Sequence, residues 1–194
     1  YSFEDEDGQP QDRDTGLNRN ALMYVTFEGY KLGLLGLHLK SDPSSDYANQ
    51  RRMAEAKIAR RIVQREIVQR GYTPIVLGDL NDYDPDIADR DATRETKTRV
   101  IRSLKNYDTR RSGDELINAA AKIGRVADRY TSHWDVNENG VRDGDDVLTM
   151  IDHILLHESL AKYHTRSLIC HLTGLETSDH WPVIVDLSLP ETDD

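Results

Sequence analysis

Pro74-Ile75-Val76-Leu77-Gly78-Asp79-Leu80-Asn81-Asp82 decides the fold. Ile75, Val76 and Leu77 favour a buried strand, and a strand that ends in glycine delivers the next residues to the edge of its sheet at a fixed position. Those residues are Asp79 and Asn81, two apart, so both side chains leave the strand on one face. Paired oxygen groups of this kind suit a hard divalent cation, or a phosphate ester held by one. Asp and Asn are also ordinary turn residues, and the stretch by itself leaves both readings open.

Upstream, Ser44, Ser45 and Asp46 are N-cap candidates for a helix from about Tyr47 to Arg70, ended by Gly71. Ala54, Ile58, Ile62, Val63 and Ile67 recur at helical spacing as its buried face. Its basic residues (Arg51, Arg52, Lys57, Arg60, Arg61, Arg65 and Arg70) read as a solvated face interleaved with Glu55 and Glu66. A helix followed by a strand makes the chain an α/β layered protein. Before the helix, Ala21–Phe27 and Leu32–Lys40 flank the Glu28-Gly29 turn as an antiparallel hairpin. His38 stands near the end of its more buried strand. Residues 4–14 are acidic and polar and read as a loop.

Downstream, Tyr83-Asp84-Pro85-Asp86 is a loop, and helical patterns follow at 95–105 and at 114–123 (Leu116, Ile117, Ala120, Ile123), with Gly124 as a stop. Tyr130–Trp134 reads as a short strand. Residues 149–156 read as an apolar strand interrupted by Asp152-His153, and an acid inside such a strand is costly to bury unless paired. Leu168–Leu172 and Val183–Leu189 are the last strands, with Thr177-Ser178-Asp179-His180-Trp181-Pro182 between them.

A chain of 194 residues suits one domain with a substantial core. Residues 1–17 read as an acidic terminus or loop and 18–190 as the domain. No apolar run reaches the roughly 18 residues of a spanning helix. The single cysteine, Cys170, excludes an internal disulfide framework. A formal charge of −10 argues against a protein that coats polyanions, although a site can still hold phosphates through metals and local bases.

Polar residues therefore recur at strand ends or inside buried strands in four places: His38, Asp79 with Asn81, Asp152, and Asp179 with His180. An imidazole needs a carboxylate to fix its tautomer and stabilise its charged form, and Asp152 with His180 would make that pair. Asp79, Asn81 and Asp179 supply oxygens for a metal or for an attacking water. Together they meet the needs of phosphoester hydrolysis.

Four segments, in order, carry a family resemblance: His38-Leu39-Lys40-Ser41, Gly78-Asp79-Leu80-Asn81, Ile151-Asp152-His153-Ile154 and Ser178-Asp179-His180. Over roughly residues 18–189 the chain resembles the endonuclease/exonuclease/phosphatase, or deoxyribonuclease I-like, superfamily. The resemblance implies a four-layer α/β sandwich of two packed, mostly antiparallel sheets flanked by helices. It also implies a divalent-metal-dependent phosphoester hydrolase using Mg²⁺ or Mn²⁺, most simply a phosphodiesterase or nuclease. A phosphomonoesterase or phospholipid-directed enzyme is the alternative on the same fold. By the resemblance, His180 is the base or the phosphate-stabilising imidazole, oriented by Asp152. Asp79 and Asn81 position the nucleophile and phosphate, His38 serves the leaving group, and the metal falls to Asp79, Asn81 and Asp179. Arg19 and Tyr83 are the substrate-contact candidates.

The family's first strands, with their Asn and metal-binding Glu, have no counterpart in this chain, which corresponds to about the C-terminal two-thirds of such a domain. Glu4 or Glu6 in a polar run is no substitute. Three readings follow: a fragment, an enzyme completed by a partner segment or second copy, and a natural truncation with altered metal binding, which as an inactive domain would serve as a binding or assembly module. An extracellular or periplasmic location is what the resemblance favours.

A further stretch, from Asp135 to Asp146, matches an EF-hand-like loop: Asp135, Asn137, Asn139 and Gly140 fall at positions 1, 3, 5 and 6, and Asp146 at 12. It resembles a dockerin-type calcium loop. The strand claimed by Ile151–Ile154 leaves no room for the paired helix, so the readings are an acidic hairpin loop without metal and a structural Ca²⁺ site.

Overall fold

The computed structural model describes residues 3–4, 10–11, 16–42, 44–91, 98–111, 113, 115–140, 143–172 and 178–191. In chain order the main elements are β1 (Asn20–Phe27), β2 (Tyr30–His38), α1 (Asp46–Ile62), β3 (Thr73–Asp79), α2 (Val100–Lys105) and β4 (Leu116–Asn118). They continue with β5 (Ser132–Trp134), β6 (Val147–Thr149), β7 (Asp152–His157), α3 (Glu158–Ala161), β8 (His164–Ile169) and β9 (Val183–Leu187).

Five strands form the main sheet in the order β1-β2-β3-β7-β4. β2 and β3 are its only parallel pair among the described strands. Parallel neighbours need a long crossover, and α1 supplies it. The helix starts where the Ser45 hydroxyl accepts from Ala48 N at 3.2 Å. It widens over Val63–Ile67, tightens over Val68–Arg70 and stops at Gly71, whose φ of 79° ends it in the left-handed region.

Side-chain alternation divides the core in two. Leu35, Leu37, Val76 and Leu155 face the helices, packing with Ala56 and Ala59 of α1, Val63 and Ile67 of its widened continuation, and Val100, Ile101 and Leu104 of α2. Leu32, Leu34, Ile75, Leu77, Ile154 and Leu156 face the other way, onto Val185 and Leu187 of β9. β9 pairs antiparallel with β8. β5 and β6 form a hairpin beside them, over Tyr130, Met150, Ile169 and Trp181. Helices, main sheet and smaller antiparallel sheets are thus stacked in an α/β sandwich. Each fully buried Leu, Ile or Val in the two seams contributes roughly 1.5–3 kcal/mol. On the edge strand β1, Met23 and Phe27 remain 58% and 55% exposed.

Several local expectations change. The 114–123 pattern is not a helix: Leu116–Asn118 is a strand on β7, Asn118 caps a 3₁₀ turn at Ala119–Lys122, and Ile117 is exposed. Cross-strand pairing overrides the helical spacing of a short apolar run. The helix at 95–105 is seen from Val100, and 92–97 lie outside the described residues. The 149–156 strand is two strands that part at Met150-Ile151, so Asp152 opens β7 rather than interrupting it. β8 ends at Ile169, opposite Val183, and Leu172 is exposed. In the acidic terminus Phe3–Glu4 pairs with Pro10–Gln11, while Glu6 and the rest of 5–9 and 12–15 lie outside the described residues. On α1 the buried stripe runs through Ala48, Arg52, Glu55, Ala56, Ala59, Val63 and Ile67, leaving Ile58 and Ile62 half-buried. Arg52, read as solvated, is 1% exposed.

Candidate active site

Sheet register builds the site. His38, the last residue of β2, lies beside Asp79, the last of β3. Asp79 in turn lies opposite Asp152, the first of β7. Three strands therefore end in one row, His38–Asp79–Asp152. Gly78 makes this closeness attainable: its φ is 120°, and a Cβ there would stand 2.2 Å from Leu37 O. No L side chain fits at that point.

Past the row, Leu80 N donates to Ile151 O at 2.9 Å, which turns the chain back. Asn81, with φ at 49°, donates through N to Asp79 Oδ1 and through Nδ2 to Asp79 Oδ2 and Leu39 O, each at 3.0 Å. Its amide nitrogen thus faces Asp79, so Asn81 stands as a donor to the carboxylate. His180 arrives from the segment before β9. Ser132 pairs with His180, and Thr131 ties both arms of the site: its carbonyl accepts from Trp181 N, and its hydroxyl from Ile151 N and Asp152 N.

His180 Nδ1 lies 2.7 Å from Asp152 Oδ2. That hydrogen bond pushes the imidazole up to about 9, against a partial loss from burial. Asp79 is also raised, first by burial and then by the neighbouring Asp152 charge, with Asn81 N–H opposing. His38 Nε2 is 3.4 Å from Asp79 Oδ2 and 2.9 Å from Arg19 Nη1. His153, next to Asp152, plays a different part. It is buried, donates from Nε2 to Asp82 O at 2.9 Å, and accepts from Asn118 Nδ2 at 3.0 Å. Burial lowers its pKa, so it packs as a neutral ring.

These groups line a cleft of about 740 Å³, with Asp79, Asn81, Tyr83, Asp152, His180 and His38 around it. Asp179 lies at its exposed rim. Among the described residues, Asp79, Asp152 and His180 bring ligand atoms within 4.8 Å of one another. Two carboxylates side by side, one of them raised by burial and by the other's charge, form a donor set that fits a hard divalent ion. Arg19 reaches the cleft through His38. Tyr83 also borders a smaller hollow with Arg99 and Arg102.

The acidic loop stands apart from this cluster. Asp135 accepts from Asn139 N at 3.2 Å and Gly140 N at 2.7 Å, and Asn139 Nδ2 donates to Asp143 Oδ2 at 2.8 Å, with Asn137 Nδ2 at 3.4 Å. Asp146 Oδ2 takes His133 Nε2 at 2.7 Å and Asp143 N at 2.8 Å. Strands β5 and β6, not helices, flank the loop, and residues 141–142 within it lie outside the described residues.

Sequence reasoning missed His133 and Trp134 in the cleft wall, the latter 66% exposed. The only signal was an aromatic as the last residue of a short strand. It also missed Thr131, whose role is visible only through long-range hydrogen bonds.

No protein-family model and no curated protein sequence matches the chain. Solved structures do. The chain is 20% identical to the 3′-5′ exonuclease NExo from Neisseria meningitidis, with a TM-score of 0.61 over 92% of this chain and 72% of that one. It is 19% identical to D. rerio TDP2 complexed with a single strand DNA product, with a TM-score of 0.56 over 84% of this chain and 59% of that one. It is 12% identical to the endonuclease domain of TRAS1, a telomere-specific non-LTR retrotransposon, with a TM-score of 0.57 over 89% of this chain and 64% of that one. The chain spans about three-fifths of the length of the TDP2 structure.

Proposed function

We propose that this chain, whose fold is that of the endonuclease/exonuclease/phosphatase (deoxyribonuclease I-like) superfamily, is a divalent-metal-dependent phosphodiesterase acting on nucleic acid. The observation that supports it most is the row His38–Asp79–Asp152 with His180 held on Asp152 at 2.7 Å in one cleft. Similar folds have been solved with a single strand DNA product in TDP2 and with a product DNA hairpin in the 3′ phosphatase NExo.

A Mg²⁺ or Mn²⁺ ion would draw on the carboxylates of Asp79 and Asp152, with Asp179 at the rim. Its chemistry is charge neutralisation of the phosphoryl oxygens. With its pKa raised to about 9, His180 is cationic at neutral pH. It therefore enters as a hydrogen-bond donor to a non-bridging phosphate oxygen rather than as a base. Asp79, fixed through both oxygens by Asn81, accepts from the attacking water and orients it in line with the scissile bond. His38, steadied by Arg19, faces the departing oxygen.

The test pairs two labelled oligonucleotides in Mg²⁺, one with only internal diesters and one ending in a 3′ phosphate. Cleavage of the internal diester is expected. Release of phosphate alone would replace the reading with a phosphomonoesterase, and binding without turnover of either would leave a non-catalytic module.

A further inference from the structure

Two buried charges on α1 have no part in the chemistry above. Arg52 and Glu55 lie one turn apart, 1% and 5% exposed, in a stripe otherwise made of Ala, Val and Ile. Both close on the backbone of a single residue, Lys40. Arg52 Nη1 donates to Lys40 O at 2.6 Å, and Lys40 N donates to Glu55 Oε2 at 2.8 Å. Arg52 Nη2 is anchored on Asn49 Oδ1, and Glu55 Oε1 on Arg51 Nε at 3.2 Å. From Lys40 the fixation passes to the site in one step. Leu39 N donates to Asp79 O at 2.9 Å, and Leu39 O accepts from Asn81 Nδ2. His38 is the next residue back.

Stability alone does not account for this arrangement. Burying two ions costs several kcal/mol each before any attraction is recovered, and well-packed apolar residues often do as well or better. Arg52 Nε, moreover, is buried without a hydrogen-bond partner among the described residues. We infer that Arg52 and Glu55 are positioning residues: they clamp the two peptide groups flanking the Lys40 Cα, so that the Leu39 carbonyl holds the Asn81 amide against Asp79. The inference rests on the phosphodiesterase reading, since that reading gives Asp79 and Asn81 their work.

The test compares the parent with the charge-free pair Arg52→Met with Glu55→Met, and with the singles Glu55→Gln and Glu55→Leu. Gln keeps an acceptor for Lys40 N–H, whereas Leu does not. Diester cleavage in Mg²⁺ is followed as kcat and KM, and the Asn81 side-chain amide by ¹H–¹⁵N NMR. In the charge-free pair kcat is expected to fall about ten- to a hundredfold, the scale of a small misplacement of reacting groups. KM stays within about threefold, and the Asn81 amide resonances move. Glu55→Gln restores most of kcat and Glu55→Leu does not. A folded charge-free pair with parental kcat and parental Asn81 resonances overturns the clamp. Should that pair not fold, equal kcat in the Gln and Leu singles overturns it. A parent that cleaves no diester instead removes the phosphodiesterase reading, and the Asn81 resonances still decide whether the clamp exists.

Discussion

Replacing Asp152 by Asn keeps the shape of the group that holds His180 and removes its charge. In the parent, the 2.7 Å contact carries the imidazole from its ordinary 6.5 to about 9. At roughly 1.4 kcal/mol per pH unit, that difference would be worth about 3 kcal/mol. The imidazole is 29% exposed, and solvent screening brings the stabilisation to about 1–2 kcal/mol. A pKa raised on folding contributes stability that is fully present below the unfolded value, near 6.5, and is lost as pH rises through about 9. Metal-free Asp152→Asn should therefore melt roughly 3–6 °C below the parent at pH 6 and converge with it above pH 9. In ¹H–¹⁵N NMR titrations, His180 should fall back toward its ordinary range. Asp79, relieved of the neighbouring charge, should titrate lower than in the parent. A parental His180 that titrates near 6.5, or a melting deficit equal at pH 6 and pH 10, would refute the reasoning.

Gly78→Ala forces a side chain into the left-handed region and onto Leu37 O; urea unfolding should show a loss of about 2–4 kcal/mol. Arg52→Met alone leaves Lys40 O and Asn49 Oδ1 without their buried donor, while Glu55 keeps Arg51. It should cost about 3 kcal/mol, whereas Met at exposed Arg65 should stay within about 0.5 kcal/mol in the same melts. In the 135–146 loop Asp135, Asp143 and Asp146 each already accept from loop N–H groups or His133, with Asp146 Oδ1 buried and unpartnered among the described residues. Ca²⁺ at about 1 mM, within the range of weak extracellular sites, should then leave the melting temperature unchanged. A rise that disappears in Asp135→Asn would instead assign a calcium loop.

Much of the fold was legible because its signals are local. The β1–β2 hairpin announces itself in two apolar runs around Glu28-Gly29, and α1 in its Ser45 cap and Gly71 stop. Gly78-Asp79-Leu80-Asn81 marks a strand end because only glycine tolerates Leu37 O at 2.2 Å. What stayed hidden depends on register. Leu116–Asn118 has helical spacing but becomes a strand because β7 offers it an edge. Asp152 seemed to sit within a strand because Thr149 and Asp152 are only three residues apart, and no propensity marks the break between β6 and β7. Arg52 and Glu55 look like surface charges on a helical wheel. Their burial follows from where Lys40 lies in space, and no spacing along the chain encodes that. The residues His38, Asp79, Asn81, Asp152 and His180 were readable individually. So was their meeting around one cleft; the row His38–Asp79–Asp152 that builds it was not, since it rests on one parallel and one antiparallel pairing made by strands far apart in sequence.

The most direct measurement is nicking of supercoiled plasmid by the purified chain with Mg²⁺ and with EDTA, set beside His180→Ala prepared identically. The parent should nick in Mg²⁺ and stop in EDTA. His180→Ala should be slower by roughly 10²–10³-fold, with its thermal unfolding still cooperative. Equal rates for parent and variant, or nicking that persists in EDTA, would contradict a metal-dependent phosphodiesterase centred on Asp79, Asp152 and His180.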